Sequence, residues 1–182
     1  MTSLAAAESL TMHFGDPKRP ALAAVTTSIA PGRITGLIGP DGAGKTTFVR
    51  LLAGLLAPTG GTVRVFGCDP VREPGPVHAR LGYMPQKFGL YEDLTVAENL
   101  RLYAEVRGLP GVERPAAFER LLHFTGLAAF TARLAGRLSG GMKQKLGLAC
   151  AMIRRPELLL LDEPSVGVDP ISRRELWRMV RE

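Results

Sequence analysis

Between residues 138 and 145 the chain reads Leu138-Ser139-Gly140-Gly141-Met142-Lys143-Gln144-Lys145. This stretch follows a glycine loop at residues 39–46 and precedes a leucine-rich segment that ends in Asp162 and Glu163. A glycine loop by itself indicates only a nucleoside triphosphate site, because many unrelated phosphate-handling proteins contain one. The serine and the two glycines are far more selective. Their position between the other two segments therefore decides the fold class.

The glycine loop reads Gly39-Pro40-Asp41-Gly42-Ala43-Gly44-Lys45-Thr46 and fits the pattern G-x-x-x-x-G-K-[ST]. Before it, residues 33–38, which include Ile34, Leu37 and Ile38, predict a buried strand. A strand, a glycine loop and a helix in that order are the setting that a phosphate-binding loop requires, so a chance glycine-rich turn is disfavoured. The helix is indicated by apolar residues at helical spacing, which are Phe48, Leu51, Leu52 and Leu55.

The residue types in this loop suit phosphate chemistry. Gly42 and Gly44 allow backbone amides to turn towards phosphate oxygens, and the start of the following helix adds a dipole that favours anions. Lys45 is expected to reach the β- and γ-phosphates. Thr46 supplies the hydroxyl that such loops place on Mg²⁺. The loop is therefore predicted to bind a nucleoside triphosphate with its magnesium ion.

Two adjacent carboxylates follow the run of leucines at residues 158–161. If that run is a buried strand, Asp162 and Glu163 lie at the edge of an apolar core, where charged side chains are rare unless a partner or a function requires them. Phosphoryl transfer is such a function, because it depends on positioned carboxylates and metal ions. A solvated strand end is the alternative.

Together these segments resemble the nucleotide-binding domain of ATP-binding cassette (ABC) ATPases, from residue 10 to the C-terminus. The resemblance implies an α/β P-loop NTPase of the ABC type, with a mixed sheet core, an antiparallel β patch and a helical subdomain. Residues 1–182 would form one such domain, truncated at its C-terminal end. Its RecA-like core would cover residues 1–86 and 155–182, and its helical subdomain residues 90–154.

The resemblance also implies roles for polar residues around the phosphates. Asp162 would hold Mg²⁺ through water, and Glu163 would act as general base on the attacking water. Gln86, after Met84-Pro85, resembles the glutamine that touches Mg²⁺ and the water and links the subdomains, although an ordinary polar loop residue is the alternative. The implied catalytic residues are Glu163, Gln86 and Lys45, and the implied magnesium ligands are Thr46, Gln86 and Asp162.

A second phosphate site is implied at Ser139-Gly140-Gly141, which in the family completes the ATP site of a partner domain packed head to tail. Met142 stands where glutamine is commonest, and we expect this difference to modulate the site without abolishing it. Asp169 resembles the D-loop aspartate or is a helix cap, and Phe14 stacks on adenine or is a core residue. The implied ATP contacts are Phe14, Gly39, Pro40, Asp41, Gly42, Ala43, Gly44, Lys45, Thr46, Thr47, Ser139, Gly140, Gly141 and Asp169.

Apolar residues follow Gln86 at Phe88, Leu90 and Tyr91. Burial in the core is the default for such residues. By resemblance they could instead line the groove that receives a coupling helix of a membrane partner. The sequence leaves both alternatives open.

The composition limits the classes of protein that need consideration. The 182 residues are 46% hydrophobic, which suits a globular domain, and the apolar runs are too short for a membrane span. No secretory signal is evident, so we expect a cytoplasmic protein. The net charge is +6, but the basic residues are scattered among acidic ones, which disfavours a nucleic-acid partner. Cys68 and Cys150 lack metal-type spacing, and a disulfide is not expected.

Patterns along the rest of the chain predict further elements. Residues 3–14 and 21–29 read as a hairpin, residues 61–66 and 81–84 as strands, and residues 140–153 as a helix with Cys150 on its buried side. Thr95 and Glu98 fit a capping box at the start of one helix, and a second begins near Glu113. Asp169 and Pro170 begin a last helix, in which Trp177 is expected to be a core residue.

Within the family, the glycine loop and the run Gly82-Tyr83-Met84-Pro85-Gln86 resemble bacterial ABC-2-type exporters, particularly those with two such domains in one polypeptide. The implied partners are a second nucleotide-binding domain and an ABC-2-type permease, at the cytoplasmic face of the inner membrane. A soluble ABC ATPase acting on ribosomes is the alternative. The short segment between Gln86 and Ser139 argues against chromosome and DNA-repair members, and Ser139-Gly140-Gly141 against a plain P-loop kinase or GTPase.

The last predicted helix has no stop signal before residue 182. We therefore expect the natural protein to continue through a strand that bears the family's switch histidine, and then into a second cassette domain. A chain without that histidine and without a partner is expected to bind Mg-ATP but to hydrolyse it weakly.

Overall fold

The structure, a computed structural model, describes residues 3–16, 18–87, 89–165 and 168–181. Its backbone groups into two compact units, one up to Leu81 and one from Gly82 onwards. The first unit contains a three-stranded sheet, and a two-stranded sheet begins at the boundary. The alternation of strands and helices confirms the predicted α/β fold class.

The sheet of the first unit is antiparallel throughout, in the order β2-β1-β3. Ala5 lies opposite Ile29, and His13 lies opposite Pro20, so the first two strands form the predicted hairpin. The alternating burial along β1 places Leu10 and Met12 in the core. Its strands are β1 (Ala5–His13), β2 (Pro20–Ile29) and β3 (Gly60–Val65).

Strand β1 is bulged where it passes between its two neighbours. Ser9 and Ala24 have φ values of 48° and 49°, although neither is glycine, and the pairing register shifts nearby. Opposite this bulge Gly61 has a φ of 72°, and a Cβ atom there would overlap the backbone of Ser9. The close approach of the two strands therefore requires glycine at position 61.

Two helices complete the first unit. Helix α1 (Lys45–Leu52) buries Phe48, Val49, Leu51 and Leu52 and contacts β2 and β3. This helix was predicted, but Leu55 lies beyond its end and is exposed. Helix α2 (Pro74–Arg80), which the sequence analysis missed, buries Val77.

The predicted buried strand at residues 33–38 is wrong. In the described part of the chain no strand pairs with this segment, and Ile38 is 99% exposed. The apolar composition signals a strand correctly only when a neighbouring strand supplies hydrogen-bond partners and another layer covers the side chains. Neither condition is met by the described residues.

The second unit is mainly helical. Helix α3 begins with the predicted capping box, in which Thr95 and Glu98 exchange hydrogen bonds. Short 3₁₀ turns connect the helices, and a core that includes Leu100, Leu121, Leu146 and Cys150 holds α3, α4 and α5 together. Both cysteines are free, as predicted. These helices are α3 (Val96–Val106), α4 (Arg114–Thr125) and α5 (Gly140–Ala151).

A smaller core joins the second sheet to the last helices. Strands β4 (Leu81–Met84) and β5 (Leu158–Leu161), both of which were predicted, pair with each other. Met84 is fully buried against Leu148 of α5 and Leu176 of α6 (Pro170–Arg181). The predicted burial of Trp177 is wrong. It follows Leu176 on an amphipathic helix and therefore points away from the core, with 37% of its surface exposed.

None of the helices among the described residues is both long and apolar enough to cross a lipid bilayer.

Candidate functional site

The glycine loop leads directly into α1. Gly42 and Gly44 have φ values of 79° and 87°, in the left-handed region that favours glycine. Gly44 is the N-cap of α1, and no side chain caps this helix. No acidic residue lies in its first turn. The N-cap therefore supplies no side-chain acceptor that would compete with an external anion at the start of α1.

Gly44 is fixed by its neighbours as well as by its backbone angles. A Cβ atom at this position would overlap the carbonyl oxygen of Ala21 in β2 and would lie 2.8 Å from the side chain of Leu22. At Gly42, in contrast, a Cβ atom would meet nothing within 4 Å. The glycine at position 44 thus lets the loop lie directly against β2.

The side chain of Lys45 folds back over the loop. Its Nζ donates hydrogen bonds to the carbonyl oxygens of Gly39 and Pro40, each at 2.9 Å. The amide of Ala43 also donates to the carbonyl of Pro40, at 3.2 Å, which closes the turn. A cation held at the mouth of the loop is the group expected to meet phosphate oxygens.

In the second unit, three of the predicted site residues come together where β4 and β5 end. The Nε2 of Gln86 donates to Oε2 of Glu163 at 2.9 Å, although the two residues lie 77 positions apart. The amide of Asp162 donates to the carbonyl of Met84 at 2.9 Å, which continues the pairing of the strands. Asp162 is only 3% exposed, whereas Glu163 is half-buried.

Glu163 has an unusual backbone conformation for its residue type. Its φ is 50°, in the left-handed region that residues with a Cβ seldom adopt. Such conformations are found at functional sites, where the surrounding structure holds them. Here the preceding strand and the hydrogen bond from Gln86 hold the residue.

The segment after Gln86 is attached to α3 by two side chains. Asn99 is fully buried and exchanges hydrogen bonds with the backbone of Tyr91, while its Nδ2 also donates to the carbonyls of Leu94 and Thr95. The hydroxyl of Tyr103 donates to the carbonyl of Gly89 at 2.7 Å. Burial raises the pKa of Tyr103 to about 12, so this hydroxyl remains a donor at neutral pH. The segment is thus held firmly on the helical core.

The alternatives for the apolar residues of this segment are only partly decided. Leu90 packs against the helical core, and Tyr91 is exposed. Phe88 lies outside the described residues.

The Ser139-Gly140-Gly141 turn begins α5. Ser139 is the N-cap, and its hydroxyl oxygen accepts a hydrogen bond from the amide of Met142 at 3.3 Å. Ser139 and Gly140 are exposed, while the flanking Leu138 is buried and anchors the turn. The turn therefore presents a serine hydroxyl and helix amides to the outside.

The remaining predicted contacts lie at the surface. Phe14 follows β1 and is 59% exposed, which is the state required of a ring that stacks on a ligand and not of a core residue. Asp169 is exposed and precedes α6, where its carbonyl accepts from the amide of Arg173 at 2.9 Å. Its neighbours Val166 and Gly167 lie outside the described residues.

The structure also reveals charged contacts that the sequence analysis missed. Lys143 pairs with Glu92 at 2.6 Å, and Lys145 pairs with Glu175 of α6. Glu92 and Lys143 lie 51 residues apart, so no local pattern could have joined them. The lysines that follow the Ser-Gly-Gly turn each hold a carboxylate from another element.

Comparison with known proteins shows which family this sequence matches. The family model "ABC transporter" matches residues 22–166. The Escherichia coli (strain K12) protein "Probable multidrug ABC transporter ATP-binding protein YbhF" is 62% identical over 173 residues, which cover 95% of this chain. The chain spans only 30% of the length of that relative.

Solved structures agree with this match. A structure described as the ATP-binding subunit of an ABC transporter has a TM-score of 0.84 and 31% identity, and the alignment covers 98% of this chain and 74% of the other. CbiO1 from Clostridium perfringens, described as part of the transporter complex cbiONQ, has a TM-score of 0.87 at 23% identity, over 100% and 73% of the two chains. The second likeness is one of fold alone.

Proposed function

The chain belongs to the ABC transporter family, and from that premise we propose that it binds ATP and hydrolyses it to drive a membrane transporter. The single observation that carries the hydrolytic role is the 2.9 Å hydrogen bond between Gln86 and Glu163. It connects an amide and a carboxylate that the family resemblance assigns to the attacking water. The glycine loop, with Lys45 folded over it, supports the binding role.

The residues present fit ATP with a magnesium ion. There is no room for a side chain at position 44, where the loop lies against β2. Glycine at this position therefore keeps the backbone of the loop accessible to phosphate groups. The described residues contain no cluster of three or more histidine, cysteine or acidic side chains. Mg²⁺ needs no such cluster, because it keeps several waters and takes few protein ligands. Thr46, Gln86 and Asp162 would hold the ion, which would neutralise phosphate charge when bound.

Glu163 is the proposed general base. Its carboxylate accepts the amide hydrogen of Gln86, so one carboxylate oxygen is oriented before any substrate arrives. Lys45 would balance negative charge on the β- and γ-phosphates. Gln86 would orient the attacking water through the same amide that now contacts Glu163. The roles of phosphate binding and proton acceptance thus fall on different residues.

A second nucleotide-binding domain is the proposed partner. Ser139 and Gly140 of the Ser139-Gly140-Gly141 turn are exposed, and Ser139 already caps the helix that follows. Its hydroxyl hydrogen and helix amides would contact the γ-phosphate of ATP bound to another domain, packed head to tail. Asp169 would lie at the same dimer interface.

We further propose that the transporter is an exporter of the ABC-2 type, with its permease as the second partner. The high identity to the multidrug transporter protein of Escherichia coli supports this role. The chain would then act at the cytoplasmic face of the inner membrane.

The binding and hydrolysis roles are tested by two substitutions in the full-length protein. We expect Lys45→Ala to weaken ATP binding by roughly 100-fold or more, because it removes the cation at the phosphates. We expect Glu163→Gln to keep ATP affinity and to lower hydrolysis by roughly 1000-fold, trapping a closed dimer. Lys18→Ala and Glu119→Gln, two exposed positions, are the matched controls. An equal loss of ATP affinity in both site variants would exclude Glu163 as the base.

The exporter role is tested in cells that lack the chromosomal gene. Wild-type protein should restore drug efflux, measured with a fluorescent substrate, whereas Glu163→Gln should not. If loss of the gene leaves drug efflux unchanged but impairs translation, the ribosomal alternative is favoured.

A further inference from the structure

Glu92 contacts the chain on both sides of the Ser139-Gly140-Gly141 turn. Its backbone carbonyl accepts a hydrogen bond from the amide of Gly136 at 2.9 Å. Its carboxylate accepts from Nζ of Lys143 at 2.6 Å. Gly136 lies shortly before Ser139, and Lys143 lies in the first turn of α5 shortly after it. One residue is thus bonded to both flanks of the turn.

The contact on the first flank is close and extends over several residues. A Cβ atom at position 136 would lie 3.2 Å from the carbonyl oxygen of Glu92, so a larger residue would push the two segments apart. The amide of Ala135 donates to the carbonyl of Leu94 at 2.8 Å. The segment before the turn therefore lies along residues 92–95.

Glu92 is itself held in place. Asn99 is fully buried and hydrogen bonds to the backbone of Tyr91 and to the carbonyl of Leu94, on either side of Glu92. This side chain fixes the segment on α3, whose Leu100 belongs to the helical core. Glu92 consequently provides a rigid point of attachment.

The ion pair with Lys143 meets an electrostatic need of α5. A cation near a helix N-terminus opposes the helix dipole, and the first turn of α5 contains no acidic residue. Glu92 supplies the missing negative charge from another segment. The two side chains are 64% and 32% exposed, so the pair contributes little to stability. Its effect is expected in the position of the turn.

We propose that Glu92 is a positioning residue, which acts through Lys143 and Gly136 to hold the Ser139-Gly140-Gly141 turn in the geometry required for ATP hydrolysis. This inference rests on the proposed role of the turn in completing the ATP site of a partner domain. Small displacements of groups around a reacting phosphate reduce the rate strongly. Loss of the pair therefore lowers kcat and leaves the initial binding of ATP unchanged.

The experiment measures ATP hydrolysis by the purified full-length protein and its variants. Glu92→Gln and Lys143→Met, which are close in size to the native residues, are each expected to lower kcat roughly tenfold, with KM for ATP within about twofold. The double variant is expected to be no slower than the slower single variant, because both changes remove the same contact. Lys143→Arg keeps the charge and is expected to stay within about twofold of wild type.

A matched control is the ion pair between Glu105 and Arg114, which joins α3 to the start of α4 at 2.9 Å with similar exposure, 55% and 25%. Glu105→Gln is expected to leave kcat unchanged. Thermal unfolding should be the same for all of these variants, which separates positioning from loss of fold.

Two results would overturn the inference. One is wild-type kcat in Glu92→Gln, which would mean that Lys143 acts without Glu92. The other is a double variant whose loss is the product of the two single losses, which would indicate independent roles. Ser139→Ala in the same assay tests the underlying function. If it hydrolyses ATP normally, the proposed role of the turn fails; if it alone is impaired, only the role of Glu92 fails.

Discussion

Helices α1 and α5 both begin at a glycine-rich turn, but the two turns are built in different ways. The N-cap of α1 is Gly44, which offers no side chain to the first amides. The N-cap of α5 is Ser139, which bonds to the amide of Met142. The loop before α1 is bridged by Lys45, whereas the turn before α5 is held by Glu92 from outside.

The difference indicates how each turn meets an anion. The N-cap of α1 offers no side-chain acceptor, so a bound phosphate would meet no competing cap there. The turn of α5 already has its serine cap and its charge balance, and so needs no ligand to be ordered. This difference fits the proposal that the first turn binds ATP and that the second contacts the phosphate of ATP bound to another domain.

The largest expected effect breaks the glycine turn of α1. Gly44→Ala places a Cβ atom against the carbonyl of Ala21 in addition to the cost of a positive φ. We expect the free energy of unfolding to fall by more than about 3 kcal/mol and ATP binding to be lost. Gly42→Ala, where a Cβ atom meets nothing within 4 Å, is the control and should cost about 1 to 2 kcal/mol. Equal losses in denaturant unfolding would refute the role of the close approach.

The second prediction concerns Asn99, which holds the segment that supports the α5 turn. Asn99→Asp replaces the amide nitrogen that donates to three backbone carbonyls with a carboxylate oxygen. We expect a loss of about 3 kcal/mol at neutral pH, because a buried negative charge would face those oxygens.

The same variant has a predictable dependence on pH. The buried position raises the pKa of the introduced carboxyl, because the protonated form can still donate one hydrogen bond. A raised pKa in the folded state means that stability increases as the pH falls through that value. Urea unfolding between pH 7 and pH 4 checks this, and a constant deficit over that range would contradict it.

A third prediction compares two caps. Ser139→Ala and Thr95→Ala each remove a hydroxyl that accepts from a helix amide, at 3.3 Å in α5 and 3.2 Å in α3. Each should cost about 1 kcal/mol of stability. Only Ser139→Ala should slow ATP hydrolysis by the full-length protein, since α3 has no proposed phosphate contact. An equally slow Thr95→Ala would show that capping alone explains the defect.

The smallest expected effect concerns the capping box of α3. Hydrogen bonds from the backbone amide and the hydroxyl of Thr95 hold the pKa of Glu98 below its usual value of 4.5. A depressed pKa means that this contribution is present above pH 4.5 and is lost as the pH falls through the folded-state value. Glu98→Gln keeps an acceptor for the cap but does not titrate. Unfolding of this variant should therefore show a weaker loss of stability in acid than wild type.

The sequence predicted the elements whose signals are local. The capping box at Thr95 and Glu98 needs only residues three positions apart, and it is present. The hairpin and the strand at residues 158–161 also followed from short patterns. Helix α2 was missed because its first residues, Pro74, Gly75 and Pro76, are typical of turns, although proline is tolerated in a first helical turn.

Features that depend on distant residues could not be predicted in this way. The segment at residues 33–38 has the composition of a buried strand, but composition cannot show whether a partner strand is present. The contact between Gln86 and Glu163 and the ion pair between Glu92 and Lys143 join parts of the chain far apart in sequence. The residue types of the site could be named, and the contacts that hold them could not.

Because Cys150 is buried, the reactivity of its thiol reports on opening of the second unit. Burial raises the pKa of this thiol, so little reactive thiolate is present at neutral pH, and the surrounding helical core shields the sulfur from reagents. Labelling of Cys150 must await transient opening of the helical core, and its rate gives the free energy of that opening. Cys68, half-buried and free, supplies an internal reference. Nucleotide-dependent changes in local stability are thus measurable without introducing any probe.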